Sequence, residues 1–165
     1  MQIAVRQGSI SKREFNEDFS KKILRRMVEM IKVLIGKKGA GKTKTMIDNV
    51  NNSVSVASGD IVFISNDTKR HMYDINHKVR MIDTSEFEIN EYSEFYGFLC
   101  GIVSNNYDIS NIFIDSIYKI VGNDTEGMKV FFENADKLAK KFDITMFFTI
   151  SIDPSEAPEY LKELA

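Results

Sequence analysis

The clearest chemical signal in the sequence is a glycine- and lysine-rich octapeptide that begins at Gly36. Its residues, Gly36-Lys37-Lys38-Gly39-Ala40-Gly41-Lys42-Thr43, match the pattern G-x-x-x-x-G-K-[ST] in full. In this pattern the glycines let consecutive backbone N–H groups turn inward and surround an anion. We expect Lys42 to reach the outer phosphates of a nucleotide and the Thr43 hydroxyl to coordinate Mg²⁺. The alternative is a chance match without function.

Further lysines surround this octapeptide. Lys37, Lys38 and Lys44 would raise the local positive potential, and as solvated side chains they need not be specific ligands. With these three lysines included for their charge, the expected phosphate-binding residues are Gly36, Lys37, Lys38, Gly39, Ala40, Gly41, Lys42, Thr43 and Lys44.

A second chemical signal is the carboxylate of Asp115, which ends the apolar run Asn111-Ile112-Phe113-Ile114. Apolar runs of this length predict a buried strand. A carboxylate at the end of a strand next to the glycine-rich loop would hold the Mg²⁺ together with Thr43. The alternative is an aspartate that only caps the following turn.

With these two motifs, Walker A and Walker B, residues 30–153 resemble the P-loop NTPases. The guanine-nucleotide switches of that group carry D-x-x-G directly after the Walker B strand and N-K-x-D for the base. Here Ser116-Ile117-Tyr118 follow Asp115, and the sequence contains no Asn-Lys-x-Asp. The resemblance therefore implies ATP and Mg²⁺ as cofactors and disfavours GTP.

Within the P-loop proteins, the chain is similar to the RecA/AAA-like division. That division inserts a strand, ending in a polar residue that senses the terminal phosphate, between the P-loop strand and the Walker B strand. Residues 144–151 resemble such a strand, with Thr149 and Ser151 near its end. Residues 73–80 and 92–100 also resemble small uncharacterised bacterial P-loop proteins. That resemblance supports nucleotide binding but does not identify a substrate.

One feature of active members of that division is missing. They place a glutamate after the Walker B aspartate or at the end of a neighbouring strand, where it activates the attacking water. Here Ser116 follows Asp115, and the predicted strand 61–65 is followed by Asn66 and Asp67. An aspartate can also act as a general base, so the expected catalytic residues are Lys42, Asp67 and Thr149. A solvated loop residue is the alternative for Asp67.

The elements that must position these residues alternate along the chain. Apolar strands separated by amphipathic helices predict an α/β, three-layer P-loop fold, with about five mostly parallel strands and helices on both faces. We expect Asn90 to cap the helix over 91–104. The predicted strands are 31–35, 61–65, 79–83, 111–115 and 144–150; the predicted helices are 42–54, 91–104, 128–142 and one from about Ser155.

Composition limits the class of protein. The 165 residues carry a net charge of −2, whereas proteins that coat nucleic acid are usually basic, so nucleic acid is disfavoured as a partner. Cys100 is the single cysteine, so no internal disulfide can form. No apolar run is long enough to span a membrane, and no secretory leader is evident at the N-terminus. These features predict a cytoplasmic protein.

Residues 1–29 differ from the rest and form a predicted N-terminal amphipathic extension to a nucleotide-binding domain over 30–165. Phe15, Phe19, Ile23 and Met27 recur every four residues, which predicts a helix over 11–28. We expect it to pack on the outside of the domain. A helix for a partner or a membrane surface, and an extension without a role, are the alternatives.

These observations together predict a Mg²⁺-dependent ATP-binding protein and slow or partner-stimulated ATPase activity. Turnover could then require a protein partner or self-association. A non-hydrolysing nucleotide switch is one alternative. A small-molecule kinase is another, although the basic lid it needs is not evident. A metal site at His71, Asp74 and His77 is disfavoured because the segment lacks a helical pattern.

Overall fold

The computed structural model describes residues 29–165. The predicted helix over 11–28 lies outside the described residues. All five strands form one sheet in the order β1-β5-β4-β2-β3, and every neighbouring pair is parallel. The strands are β1 (Ile31–Gly36), β2 (Asp60–Ser65), β3 (Arg80–Asp83), β4 (Ile109–Ile114) and β5 (Thr145–Ser151).

The α-helices follow β1, β3, β4 and β5, and a helix is the usual connection between parallel strands. They are α1 (Lys42–Ser53), α2 (Tyr92–Asn105), α3 (Ile117–Val121), α4 (Thr125–Phe142) and α5 (Glu159–Leu164). Two short 3-10 turns, Thr68–His71 and Thr84–Glu86, follow β2 and β3. Among these helices, none has the length and apolarity needed to cross a bilayer.

Apolar side chains cover the sheet on both faces. On one face, Met46 and Val50 of α1 pack against Phe63 and Phe113. On the other face, the alternate strand residues pack against α2, α3, α4 and α5 in a larger cluster. Alternation along β2 and β4 supplies both clusters, because successive side chains of a strand point to opposite faces. The predicted α/β fold with helices on both faces is confirmed, and so is the position of β5 between β1 and β4.

Several predicted helix boundaries were wrong. Asn90 does not cap α2: Glu91 occupies that position, and the backbone N–H of Asn90 donates to the Glu94 carboxylate. Helix α3 was missed because its five residues are too few to show a period. The last helix begins at Glu159, not near Ser155, because Pro158 disfavours helical geometry at the residue before it.

Candidate functional site

The glycine-rich loop joins the carboxyl end of β1 to the first turn of α1. Gly39 and Gly41 adopt φ values of +83° and +85°, a backbone conformation that costs most other residues energy. Gly41 is the residue before α1, and no side chain caps α1 among the described residues. The first N–H groups of α1 therefore face the loop, with the positive end of the helix dipole behind them.

Lys42 lies inside the curve of this loop. Its side chain is buried, with 8% exposed, and Nζ donates hydrogen bonds to the carbonyl oxygens of Gly36 at 2.8 Å and Lys37 at 2.7 Å. Burial lowers the pKa of Lys42, and the negative charge of Asp115 opposes that shift. The ammonium group is thus held at the loop by neutral carbonyl groups, which an anion could replace as stronger partners.

Thr43 and Asp115, which are 72 residues apart in sequence, meet beside the loop. The Thr43 hydroxyl lies 3.2 Å from Oδ1 and 3.1 Å from Oδ2 of Asp115, to which it donates. Asp115 is 3% exposed, and its backbone N–H donates to Ile64 at 2.9 Å, which holds it at the end of β4. A hydroxyl and a carboxylate in contact form the hard-oxygen donor set that Mg²⁺ prefers.

Thr149 orients that carboxylate. It is fully buried at the end of β5, donates to Oδ1 of Asp115 at 2.7 Å and accepts from the backbone N–H of Ser116 at 2.7 Å. Ser116 has a φ of +57°, and its hydroxyl donates to Oδ2 of Asp115. Both polar functions of Thr149 are therefore occupied near Asp115. Its role near a terminal phosphate stays a prediction.

Asp67 lies apart from these hydrogen bonds. It follows β2, which neighbours β4, so it shares the carboxyl edge of the sheet with Asp115. Its side chain is exposed, and it makes none of the bonds that join Thr43, Asp115 and Thr149. Its backbone N–H donates to the hydroxyl of Ser65. The predicted role of Asp67 as a base stays a prediction.

The lysines of the loop differ in their surroundings. Lys38 and Lys44 are exposed, whereas Lys37 forms an ion pair with Asp153 at 2.8 Å. Lys37 lowers the pKa of Asp153, and hydrogen bonds from Ser155 add to the effect. This pair, which the sequence did not reveal, links the loop to the segment after β5.

A polar cleft of about 520 Å³ opens beside Thr43, between α1 and the connection from β2 to β3. Arg70 and His71 line one wall of the cleft, and the His71 ring packs edge-on against Phe63. Asn51 of α1 joins the two walls, because its amide donates to the carbonyl of Asp74 at 2.7 Å. Within residues 29–165, no group of three or more His, Cys, Asp or Glu side chains could hold a metal ion.

Asp83, at the end of β3, was missed by sequence reasoning. Burial disfavours its charge, yet hydrogen bonds from Ser85 and Thr68 lower its pKa to about 2. Its two carboxylate oxygens accept from the backbone and hydroxyl of both residues at 2.6–3.0 Å. The signal available was an aspartate two residues before a serine, which is typical of an Asx turn.

Comparisons with known proteins add no assignment. No protein-family model matches the chain, and neither does any curated protein.

Proposed function

We propose that this chain is a P-loop protein of the RecA/AAA-like type that binds ATP with Mg²⁺. The observation that carries the proposal is the contact of Thr43 with Asp115 beside the buried Lys42. Three residue types with complementary roles toward a metal-bound triphosphate converge from two segments far apart in sequence. Apolar packing alone would not bring a buried ammonium group, a hydroxyl and a carboxylate together at one end of the sheet.

Each part of the site has a role toward the nucleotide. The loop N–H groups and Lys42 bind the phosphates, because the loop curves around Nζ and its glycines leave the backbone accessible. Thr43 and Asp115 would hold Mg²⁺, directly or through water. The bound cation neutralises phosphate charge. Thr149 keeps the Asp115 carboxylate oriented toward Thr43.

Hydrolysis is slow in this proposal, or it depends on a partner or on self-association. Ser116 occupies the position of an activating glutamate, and its φ of +57° directs it toward Asp115. Asp67 is the remaining carboxylate at the adjacent strand end and is exposed to solvent. A chain that binds ATP and hydrolyses it slowly also suits a switch whose output is contact with another protein.

The first test compares Lys42→Ala with Lys44→Ala, its matched control. Both variants remove one lysine from the first turn of α1, but only Lys42 is buried in the loop. We expect Lys42→Ala to weaken Mg²⁺–ATP binding by about 10- to 100-fold, since charge-assisted hydrogen bonds contribute about 1.5–3 kcal/mol. Titration calorimetry with ATP, GTP and ADP, with and without Mg²⁺, measures the effect.

The control should bind nearly as the unmodified chain does. If Lys42→Ala keeps its fold, as judged by circular dichroism, and binds ATP as tightly as the unmodified chain, the proposal is wrong.

The polar cleft favours a second candidate function, transfer of the terminal phosphate to a small anionic acceptor. The cleft begins at Thr43, where the terminal phosphate would emerge, and Arg70 supplies a cationic group to its wall. This function therefore requires both an acceptor and a nucleotide in one complex.

Single-turnover reactions with labelled ATP separate these functions. Release of free phosphate indicates an ATPase, label on an added acceptor indicates a kinase, and unchanged ATP indicates a switch.

If Asp67 is the base, Asp67→Asn slows phosphate release by about 10²–10⁴-fold, the usual contribution of general base catalysis. Asp108→Asn, at another exposed aspartate, is the control. Equal rates in the two variants would exclude Asp67 as the base.

A further inference from the structure

The strand that carries the glycine-rich loop lies at the edge of the sheet. Strand β1 pairs with β5 on one side, and within residues 29–165 no strand pairs with its other side. Parallel sheets are normally covered by other elements, and an open edge is a site where another segment can attach. The open edge of β1 is therefore a candidate site for another segment to pack against.

An apolar groove of about 360 Å³ follows this edge and reaches both faces of the sheet. Met46 and Phe147 line it on the α1 side, whereas Phe148 and Leu164 belong to the cluster on the other face. At its rim, the Lys32 ammonium lies 5.3 Å from the centre of the Phe147 ring. A groove lined in this way suits an apolar stripe with a polar outer surface.

The sequence contains such a stripe, and it is joined directly to the groove. Glu29 itself lines the groove, and the stripe formed by Phe15, Phe19, Ile23 and Met27 precedes it. Ile23 precedes Glu29 by only six residues in the sequence. A tether this short gives an effective concentration on the order of millimolar.

Charge favours the same pairing. Residues 1–28 carry seven Lys or Arg and three Asp or Glu, so their net charge is +4. The whole chain carries −2, so residues 29–165 carry a net charge of −6. Opposite net charges attract the segment to the domain, and the groove then determines where its apolar side chains are buried.

We propose that residues 11–28 cover the open edge of β1, with Phe19 and Ile23 in this groove and the Lys and Arg side chains outward. The proposal does not depend on nucleotide binding. It also gives the segment a connection to the loop, since Thr45 and Met46 line the groove and belong to the helix that begins at Lys42.

The test uses a tryptophan, because the chain has none. Asn49→Trp places one at the exposed rim of the groove on α1. Phe19→Glu is then added to it, and Lys21→Gln is the matched control, which changes the charge equally on the predicted opposite side of the helix. We expect Phe19→Glu to shift the emission to longer wavelength and to increase quenching by acrylamide, and Lys21→Gln to leave both unchanged.

Hydrogen exchange of the same variants without the tryptophan gives an independent measurement. We expect Phe19→Glu to speed the exchange of the β1 amides on the order of tenfold, because covering a strand edge raises its local opening free energy. Strand β3, at the far edge of the sheet, should not change. Equal exchange of β1 in Phe19→Glu and Lys21→Gln would overturn the proposal. The proposal would also be overturned if the difference in β1 exchange between the two variants disappeared on dilution and sedimentation showed a dimer. A second copy of the chain would then cover the edge.

Discussion

At the scale of single residues, Asp115 organises the candidate site. Hydroxyl groups of Thr43, Ser116 and Thr149 all donate to its carboxylate. A buried carboxylate is stable only when its oxygens have partners, and three hydroxyl groups provide them without neutralising the charge. The negative charge therefore remains available to a cation beside the loop.

Ser116 shows that local strain accompanies this arrangement. Its φ of +57° is unfavourable for a residue with a side chain, and its N–H is the donor that Thr149 accepts. The turn after β4 thus keeps an unfavourable backbone conformation in order to bring a donor to Thr149. Strain of this kind is common at functional sites, and here it lies next to the carboxylate that the proposal assigns to Mg²⁺.

Asp83 carries a pH-dependent prediction. Its pKa of about 2 in the folded chain lies below the usual value of about 3.9, so folding favours its charged form. Its stabilisation is fully present above about pH 4 and is lost as the pH falls through about 2. We expect Asp83→Asn to lower the free energy of unfolding at pH 7 by about 1–2 kcal/mol.

Urea unfolding from neutral to acid pH measures this difference. The gap between Asp83→Asn and the unmodified chain should close as the pH approaches 2, whereas Asp108→Asn should show no gap at any pH. A gap that stays constant with pH would contradict the role of the Asp83 charge.

At the scale of elements, the N-termini of helices α4 and α1 differ: a side chain caps the first, and none caps the second. Helix α4 begins after Asp124, whose carboxylate accepts from the N–H groups of Glu126 and Gly127. Helix α1 begins after Gly41, which has no side chain to offer. The N–H groups at the start of α4 thus have a partner within the chain, whereas those at the start of α1 can bind an external anion.

This contrast predicts the effect of removing the cap of α4. Asp124→Ala should lower the free energy of unfolding by about 1 kcal/mol, the usual contribution of an N-cap. Glu133→Ala, at an exposed position in the middle of the same helix, is the control and should change it by less than about 0.5 kcal/mol. Thermal unfolding followed by circular dichroism measures both. Equal losses in the two variants would contradict the capping role.

At the scale of the whole molecule, the sheet separates two apolar clusters that both bear on the site. Phe113 lies on β4 in the cluster beneath α1, stacked on Phe147 with ring centres 4.5 Å apart. Two residues later, the same chain segment supplies Asp115. Packing on this face therefore sets the distance between α1, which carries Thr43, and the end of β4.

Phe113→Ala tests this dependence. Removal of a fully buried ring should lower the free energy of unfolding by about 3–5 kcal/mol. A loss of this size is a large share of the stability of most domains, about 5–15 kcal/mol. Tyr73→Ala, whose side chain is 91% exposed, should change it by less than about 0.5 kcal/mol. Urea denaturation measures both, and a loss below 1 kcal/mol in Phe113→Ala would contradict its place in the core.

The sequence by itself determined the strands and the longer helices, because apolar runs and helical periods are local signals that span several residues. The short helix α3 and the earlier start of α4 were missed, since neither leaves a periodic pattern. It also determined the loop residues Gly36 to Thr43, because their backbone requirements are met within eight consecutive positions.

The proximity of Thr43 and Asp115 was expected from the motifs, but the tertiary structure alone decided the other contacts around them. The hydrogen bond from Thr149 to Asp115, 34 residues away in sequence, was not predicted, and the expected role of Thr149 near a terminal phosphate stays a prediction. The Lys37–Asp153 pair and the open edge of β1 likewise depend on strand order. Strand order depends on long-range packing of helices on both faces of the sheet, so local patterns do not encode it; the position of β5 was predicted only through the family resemblance.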